Sequence, residues 1–124
     1  MGDPCGIGPE IILKALKSSY INSLNEFLVI GSYYSMSTVN QKLSINMPIK
    51  KITQFEEFDP EETSMIQILD PDNINTKYIQ PGVLSKEAGK ACMEWVEIAA
   101  HLCLENKIQG MATAPVNKEA ASLA

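Results

Sequence analysis

Apolar positions recur at helical spacing over residues 9–18, where Ile12 and Leu16 share a face with Ile11 and Ala15 beside them. Lys14 and Lys17 fall on the other side, near the negative end of the helix dipole. Ser18, Ser19 and Asn22 end that signal. Phe27-Leu28-Val29-Ile30 is a continuous apolar run closed by Gly31-Ser32, the pattern of a strand buried on both faces of a parallel sheet. Ser32 is placed to cap a second helix, with Tyr33, Met36, Val39 or Asn40, and Leu43 at helical spacing. Residues 49–52 read as a weaker strand, and Lys50-Lys51 within it marks a sheet edge. Residues 54–63 are acidic and loop-like, with a turn at Asp59-Pro60. Residues 65–69 are the next strand, stopped by Asp70-Pro71-Asp72, and a loop runs on to Gly82.

The longest predicted helix covers residues 85–106. Ala88, Ala91, Cys92, Trp95, Val96, Ala99, Leu102 and Cys103 form a wide apolar stripe, with Glu94, Glu97, His101 and Glu105 opposite. Gly89 costs about 1 kcal/mol there relative to alanine, which points to a close packing neighbour. Residues 111–114 read as a last strand, and Pro115-Val116-Asn117-Lys118 as the loop into a helix at Glu119. Strands alternating with helices imply an α/β architecture with a mainly parallel sheet.

The glycine-rich stretch at the start, Met1-Gly2-Asp3-Pro4-Cys5-Gly6-Ile7-Gly8-Pro9-Glu10, leads straight into the first helix. Glycine permits positive φ and close approach to a ligand. Pro9 suits a first helical turn, Gly8 can serve as the cap, and Glu10 favours the positive end of the dipole. Such a loop aims backbone N–H groups at an anion above the helix start. The bland alternative is a turn that only begins a helix. The glycine spacing is neither a dinucleotide fingerprint nor a Walker motif. At the other end, Thr113 closes a strand and Asn117 and Lys118 precede a helix. This places polar groups at the sheet edge where open α/β folds bind ligands. There the bland alternative is a solvated lysine in an ordinary connection.

Charge and cysteine content narrow the partners. The 124 residues carry a net charge of −5 and no arginine, which disfavours a nucleic-acid surface but leaves room for a small phosphorylated ligand. No apolar run reaches the ~20 residues of a membrane span. No secretory signal is visible. Cys5, Cys92 and Cys103 form no metal-type pair and read as reduced thiols of a cytoplasmic protein. Cys5 lies near a helix N-terminus, which lowers a thiol pKa, yet no base partner accompanies it. His101, the single histidine, stands four residues from both Glu97 and Glu105 on a polar face and reads as solvated.

Gly2-Asp3-Pro4-Cys5-Gly6-Ile7-Gly8-Pro9-Glu10 resembles the N-terminal signature of the 4-hydroxythreonine-4-phosphate dehydrogenases, the PdxA family of vitamin B6 synthesis, in which alanine usually stands at the position of Cys5. More loosely it resembles the corresponding loop of isopropylmalate and isocitrate dehydrogenases. Thr113-Ala114-Pro115-Val116-Asn117-Lys118-Glu119 is similar to a second segment of the PdxA family, and Gly82, Ser85, Gly89 and Ala99 match between the two. The resemblance covers the whole chain and less than half of the family's usual length. It implies an isocitrate/isopropylmalate dehydrogenase-like α/β fold, incomplete at both ends, with residues 1–124 a single N-terminal fragment of a larger dehydrogenase.

The implied activity is NAD-dependent (or NADP-dependent) oxidation and decarboxylation of 4-phosphohydroxy-L-threonine. A divalent metal (Zn, Mg or Co) polarises the reacting oxygen in the full-length enzyme. The family's metal histidines and its Gly-His-Thr segment are not in this chain, and His101 matches no ligand position. Matching positions carry over a cleft lined by Asp3, Gly6, Gly8, Thr113, Asn117 and Lys118, for substrate or cofactor. Lys118 is the first choice for an anionic group. A homodimer is implied for the full-length protein. The alternatives are a paralogue for another phosphorylated hydroxy acid, such as a four-carbon sugar-acid phosphate, an isopropylmalate or isocitrate dehydrogenase, disfavoured by Asp3-Pro4 and Asn117-Lys118, and a non-catalytic phosphate-binding module.

Overall fold

The computed structural model describes residues 1–18 and 26–124; the helix-ending signals read at Ser19 and Asn22 lie outside them. Three strands, β1 (Leu28–Ile30), β2 (Ile49–Ile52) and β3 (Ile66–Leu69), form a parallel sheet in the order β1-β3-β2. The apolar β3 is central and buried at all four positions, while β2 with its lysine pair takes an edge. Four helices follow the predicted alternation: α1 (Gly8–Lys17), α2 (Tyr33–Lys42), α3 (Lys86–Leu104) and α4 (Lys118–Leu123).

Side chains alternate across each strand, so the sheet has two packed faces. On one, Leu13 and Leu16 of α1 and Met36 of α2 meet Val29, Ile66 and Ile68. On the other, Ala91, Cys92, Trp95, Ala99 and Leu102 of α3 meet Ile30, Ile52 and Leu69. The α3 stripe therefore matches its prediction. The α1 stripe differs: Pro9, Leu13 and Leu16 are buried, Ile12 is half-buried, and Ile11 and Ala15 are exposed. The helix carries two overlapping apolar arcs, and contact with α2 and the sheet selects the i, i+4, i+7 arc that begins at Pro9.

Polar groups fix the loops. Ser32 caps α2 as predicted, its Oγ accepting from Ser35 N–H at 3.1 Å, and the buried Asp70 adds a second acceptor for Tyr33 N–H at 2.7 Å. Gln67, buried on the central strand, exchanges two hydrogen bonds with the backbone of Asp59 and so pins the acidic loop over the sheet. Trp95 Nε1 donates to Asn73 Oδ1 at 2.9 Å, and Asn73 Nδ2 donates to Glu94. Glu94 is thus half-buried against the 70–82 loop rather than on a wholly solvated face.

The predicted strand at residues 111–114 joins no ladder. Its neighbour is the segment Met1-Gly2-Asp3, which lies beside β1: the Met1 amino group donates to Ile30 O at 2.8 Å, and Asp3 N–H donates to Pro115 O at 3.0 Å. That bond falls on Pro115, one residue past the predicted strand, and residues 111–114 make no backbone bond to this segment among the described residues. Among the described residues, no helix is long and apolar enough to cross a membrane.

Candidate functional site

The glycine loop and the start of α4 come together at one end of the sheet. Gly2 adopts φ +78°, and a Cβ there would lie 2.5 Å from Pro115 O and 2.6 Å from Ala114 O. Only glycine fits that approach. A Cβ on Gly8 would collide with Met1 O and stand 3.4 Å from the Ala114 side chain. The two motifs, more than a hundred residues apart, are therefore in direct backbone contact.

Within the loop, Asp3 is the organiser. Its Oδ1 accepts from Cys5 N–H at 2.9 Å, and its carbonyl accepts from Gly6 N–H at 3.1 Å. The turn this makes is exposed at Gly6 and Ile7. Ile7, not Gly8, is the N-cap of α1, with φ −87° and ψ −2° and no side-chain cap bond; Gly8 is the first helical residue. The helix start is uncapped by any side chain, so the N–H groups of Ile7 and Gly8 have no hydrogen-bond partner among the described residues. Glu10, in the first turn, pairs with Lys14 at 2.8 Å.

Across the contact, Asn117 Oδ1 caps α4 by accepting from Ala120 N–H at 3.1 Å. Its amide oxygen is thereby committed, leaving the NH₂ group to donate. Lys118 is exposed and its ammonium forms no ion pair among the described residues. Thr113 is exposed and is placed here only through its neighbour Ala114. So Asp3, Gly6 and Gly8 share one loop, Asn117 and Lys118 share one helix start, and the backbone at 114–115 joins the two groups.

Cys5 departs from its expectation. It is 3% exposed, its Sγ lies 3.4 Å from Tyr78 O, and burial pushes its thiol pKa up rather than down. Desolvation outweighs the helix terminus because the sulfur points away from the open turn into the 78–82 loop. Burial raises the Cys92 thiol as well. All three cysteines are free, and only Cys103 is partly accessible. A disulfide-exchange reagent at neutral pH is therefore expected to label Cys103 promptly and the other two only on unfolding; prompt labelling of Cys5 would refute this burial. Because the folded pKa values of Cys5 and Cys92 are raised, their contribution to stability falls as pH climbs above the ordinary thiol value.

No group of three His, Cys, Asp or Glu side chains that could hold a metal ion occurs among the described residues. His101 is exposed, with Nδ1 2.9 Å from Glu97 O of its own helix.

Sequence reasoning missed three supports of the loop. Ser35 Oγ donates to Pro4 O at 2.9 Å, Gly82 N–H donates to Cys5 O at 2.7 Å, and Gly31 is pressed against the Met1 side chain. Gly82 carried a signal, as a proline–glycine pair and a match to the family pattern, but not its bond to Cys5 O. Ser35 gave no signal, since it reads as an ordinary polar position off the apolar face of α2.

A parallel sheet with helices on both faces, and a glycine loop set against a second motif at its edge, define an α/β fold with a candidate ligand site at one end of its sheet. The crystal structure of a 4-hydroxythreonine-4-phosphate dehydrogenase from Burkholderia phymatum superposes with a TM-score of 0.88 at 32% identity, over 99% of this chain and 37% of that one. The chain belongs to the PdxA family: the model of the family described as "Pyridoxal phosphate biosynthetic protein PdxA" matches residues 23–124. It is 37% identical over 123 residues to the 4-hydroxythreonine-4-phosphate dehydrogenase of Trichlorobacter lovleyi, covering 97% of this chain and 36% of that protein. It is 35% identical over 127 residues to the D-threonate 4-phosphate dehydrogenase of Salmonella typhimurium, covering 100% of this chain and 38% of that protein. The chain thus spans little more than a third of the length of these relatives, and the glycine loop, outside the family match, lies within the span shared with the curated relatives.

Proposed function

We propose that the complete protein is a cytoplasmic, homodimeric, NAD- or NADP-dependent dehydrogenase that oxidises and decarboxylates 4-phosphohydroxy-L-threonine in pyridoxal phosphate biosynthesis. The observation that carries this reading is the backbone contact between the glycine loop and the Ala114-Pro115 segment that leads into α4, in a chain whose relatives bear that dehydrogenase name. The N–H of Ile7, on the exposed part of the turn, suits an anionic group of substrate or cofactor. Lys118 supplies an exposed positive charge at the start of α4, and Asn117 a donor whose orientation is fixed by its cap. Asp3, Gly6 and Gly8 hold the loop's shape, and Thr113 lines the same edge.

The nicotinamide cofactor, when bound, accepts hydride from the hydroxyl carbon; the hydroxyl proton is released, and the resulting β-keto acid loses carbon dioxide. A divalent metal would find no ligand set within the described residues. A second reading rests on the Salmonella relative: D-threonate 4-phosphate shares the carboxylate, phosphate and hydroxyl of the first substrate and carries a hydroxyl in place of its amine. The edge where the glycine loop meets residues 114–115 would serve either.

The test is NADH formation by the protein expressed from its complete reading frame, with divalent metal, NAD and each of the two phosphorylated acids in turn. Turnover of one and not the other assigns the substrate. Binding without turnover of either would overturn the dehydrogenase and leave a phosphate-binding module. In the active protein, Lys118→Met is expected to lower kcat/KM about tenfold to a hundredfold, the range for losing a hydrogen bond to a charged group. An unchanged kcat/KM would remove Lys118 from the site.

A further inference from the structure

Among the described residues, the glycine loop is supported from outside itself by a single side-chain hydroxyl bonded to its backbone. Ser35, 2% exposed in the first turn of α2, donates from Oγ to the carbonyl of Pro4 at 2.9 Å. The acceptor lies between Asp3, whose carboxylate shapes the turn, and Gly6, where the turn opens. The next carbonyl, Cys5 O, is held by Gly82 N–H at 2.7 Å. Pro4 has no N–H of its own, so its carbonyl is the only polar backbone group through which α2 can grip this residue. Buried and deprived of Ser35, that carbonyl would have to turn toward water. Such a rotation moves the peptide that joins Pro4 to Cys5, and with it the N–H that Asp3 holds. The neighbouring Ser32 spends its Oγ on the N–H of Ser35 and makes no bond to the loop.

We infer that Ser35 is a positioning residue of the ligand site, setting the conformation of the glycine loop through the Pro4 carbonyl while taking no part in the chemistry. The ligand part of this inference rests on the dehydrogenase reading above. A loop displaced by a fraction of an ångström loses binding more than chemistry when it acts on a bound anion rather than on the reacting atoms.

The test compares Ser35→Ala with Ser32→Ala in the complete protein. Ser32→Ala removes the α2 cap on the Ser35 N–H and lowers the melting temperature but keeps the Ser35 hydroxyl, so it reports what loosening the helix start does while the Pro4 bond can still form. Ser35→Ala is expected to raise KM for NAD or for the phosphorylated acid at least fivefold with kcat within twofold, while Ser32→Ala leaves both KM values within twofold. Both KM values unchanged in Ser35→Ala, or raised equally by Ser32→Ala, would overturn the inference. If the wild type makes no NADH with either acid, the dehydrogenase reading falls by itself, and hydrogen exchange then decides for Ser35. Faster exchange at the Cys5 and Gly6 N–H groups in Ser35→Ala alone would sustain its hold on the loop; equal rates in all three proteins would end it.

Discussion

Replacing Gly2 with alanine is expected to separate the glycine loop from the 114–115 segment and to cost about 3 kcal/mol or more of stability. Two costs add. At φ +78° an alanine pays about 1–2 kcal/mol for the left-handed region. Its Cβ would also lie 2.5 Å from Pro115 O and 2.6 Å from Ala114 O, and both are backbone atoms that cannot swing aside as a side chain would. The Asp3–Pro115 hydrogen bond is the joint that yields. Two other glycines calibrate the result. Gly82 has φ +77° with open space around its Cβ position, so Gly82→Ala pays the conformational cost alone. Gly110 has neither constraint, and Gly110→Ala is expected to be neutral or slightly stabilising through the unfolded chain. Thermal unfolding of the three variants should rank them Gly110, Gly82, Gly2 in increasing loss. A Gly2→Ala protein no less stable than Gly82→Ala would mean that the two motifs are not in contact. Because the contact assembles the candidate site, the same variant is expected to lose ligand binding even where it remains folded.

Much of this arrangement was legible from residue pattern. Buried parallel strands read as unbroken apolar runs, so β1 and β3 stood out. The lysine pair placed β2 at an edge. Gly89 announced a close neighbour, although nothing local said that the neighbour is α4. What escaped was decided by contacts distant in sequence. The α1 helix carries two apolar arcs, and only packing chooses Leu13 over Ile11. The 111–114 run has the composition of a strand, yet a ladder needs a partner along its whole length, and Asp3 bonds only to Pro115, just beyond it. Helix polarity alone argued for a lowered Cys5 pKa, whereas burial beneath the 78–82 loop raises it. Gln67 and Ser35 look like ordinary polar positions, because a buried hydrogen bond to a remote carbonyl leaves no periodic trace. The motifs that resemble the PdxA family were the exception: their residues are set by a shared contact, so they could be recognised without knowing what they touch.

Gly89→Ala is expected to undock α4, against the direction helix propensity would give. In an isolated helix this change is worth about 1 kcal/mol of stabilisation. Here a Cβ on residue 89 would fall on the carbonyl of Ala120 and press on the N–H of Ala121 at 2.7 Å. Ala120 is 1% exposed, and the side chain of Asn117 caps this same turn, so the α4 backbone sits flat on α3 with no slack. Relief requires α4 to lift, forfeiting the burial of Ala120 and the shared surface. A clash with backbone outweighs a propensity gain of this size, and a net loss of about 2 kcal/mol is expected, in line with overpacking at a closed contact. Hydrogen exchange separates the two forces. Undocking speeds exchange at the Ala120 and Ala121 N–H groups, which Asn117 holds through its side chain and carbonyl, while the α3 amides stay protected. In the active protein it also displaces Lys118, the first residue of α4, so KM for the ligand it serves should rise. A Gly89→Ala protein that is more stable, with α4 amides as protected as before, would show that α4 does not rest on α3 at this point, and Lys118 would lose the helix that positions it.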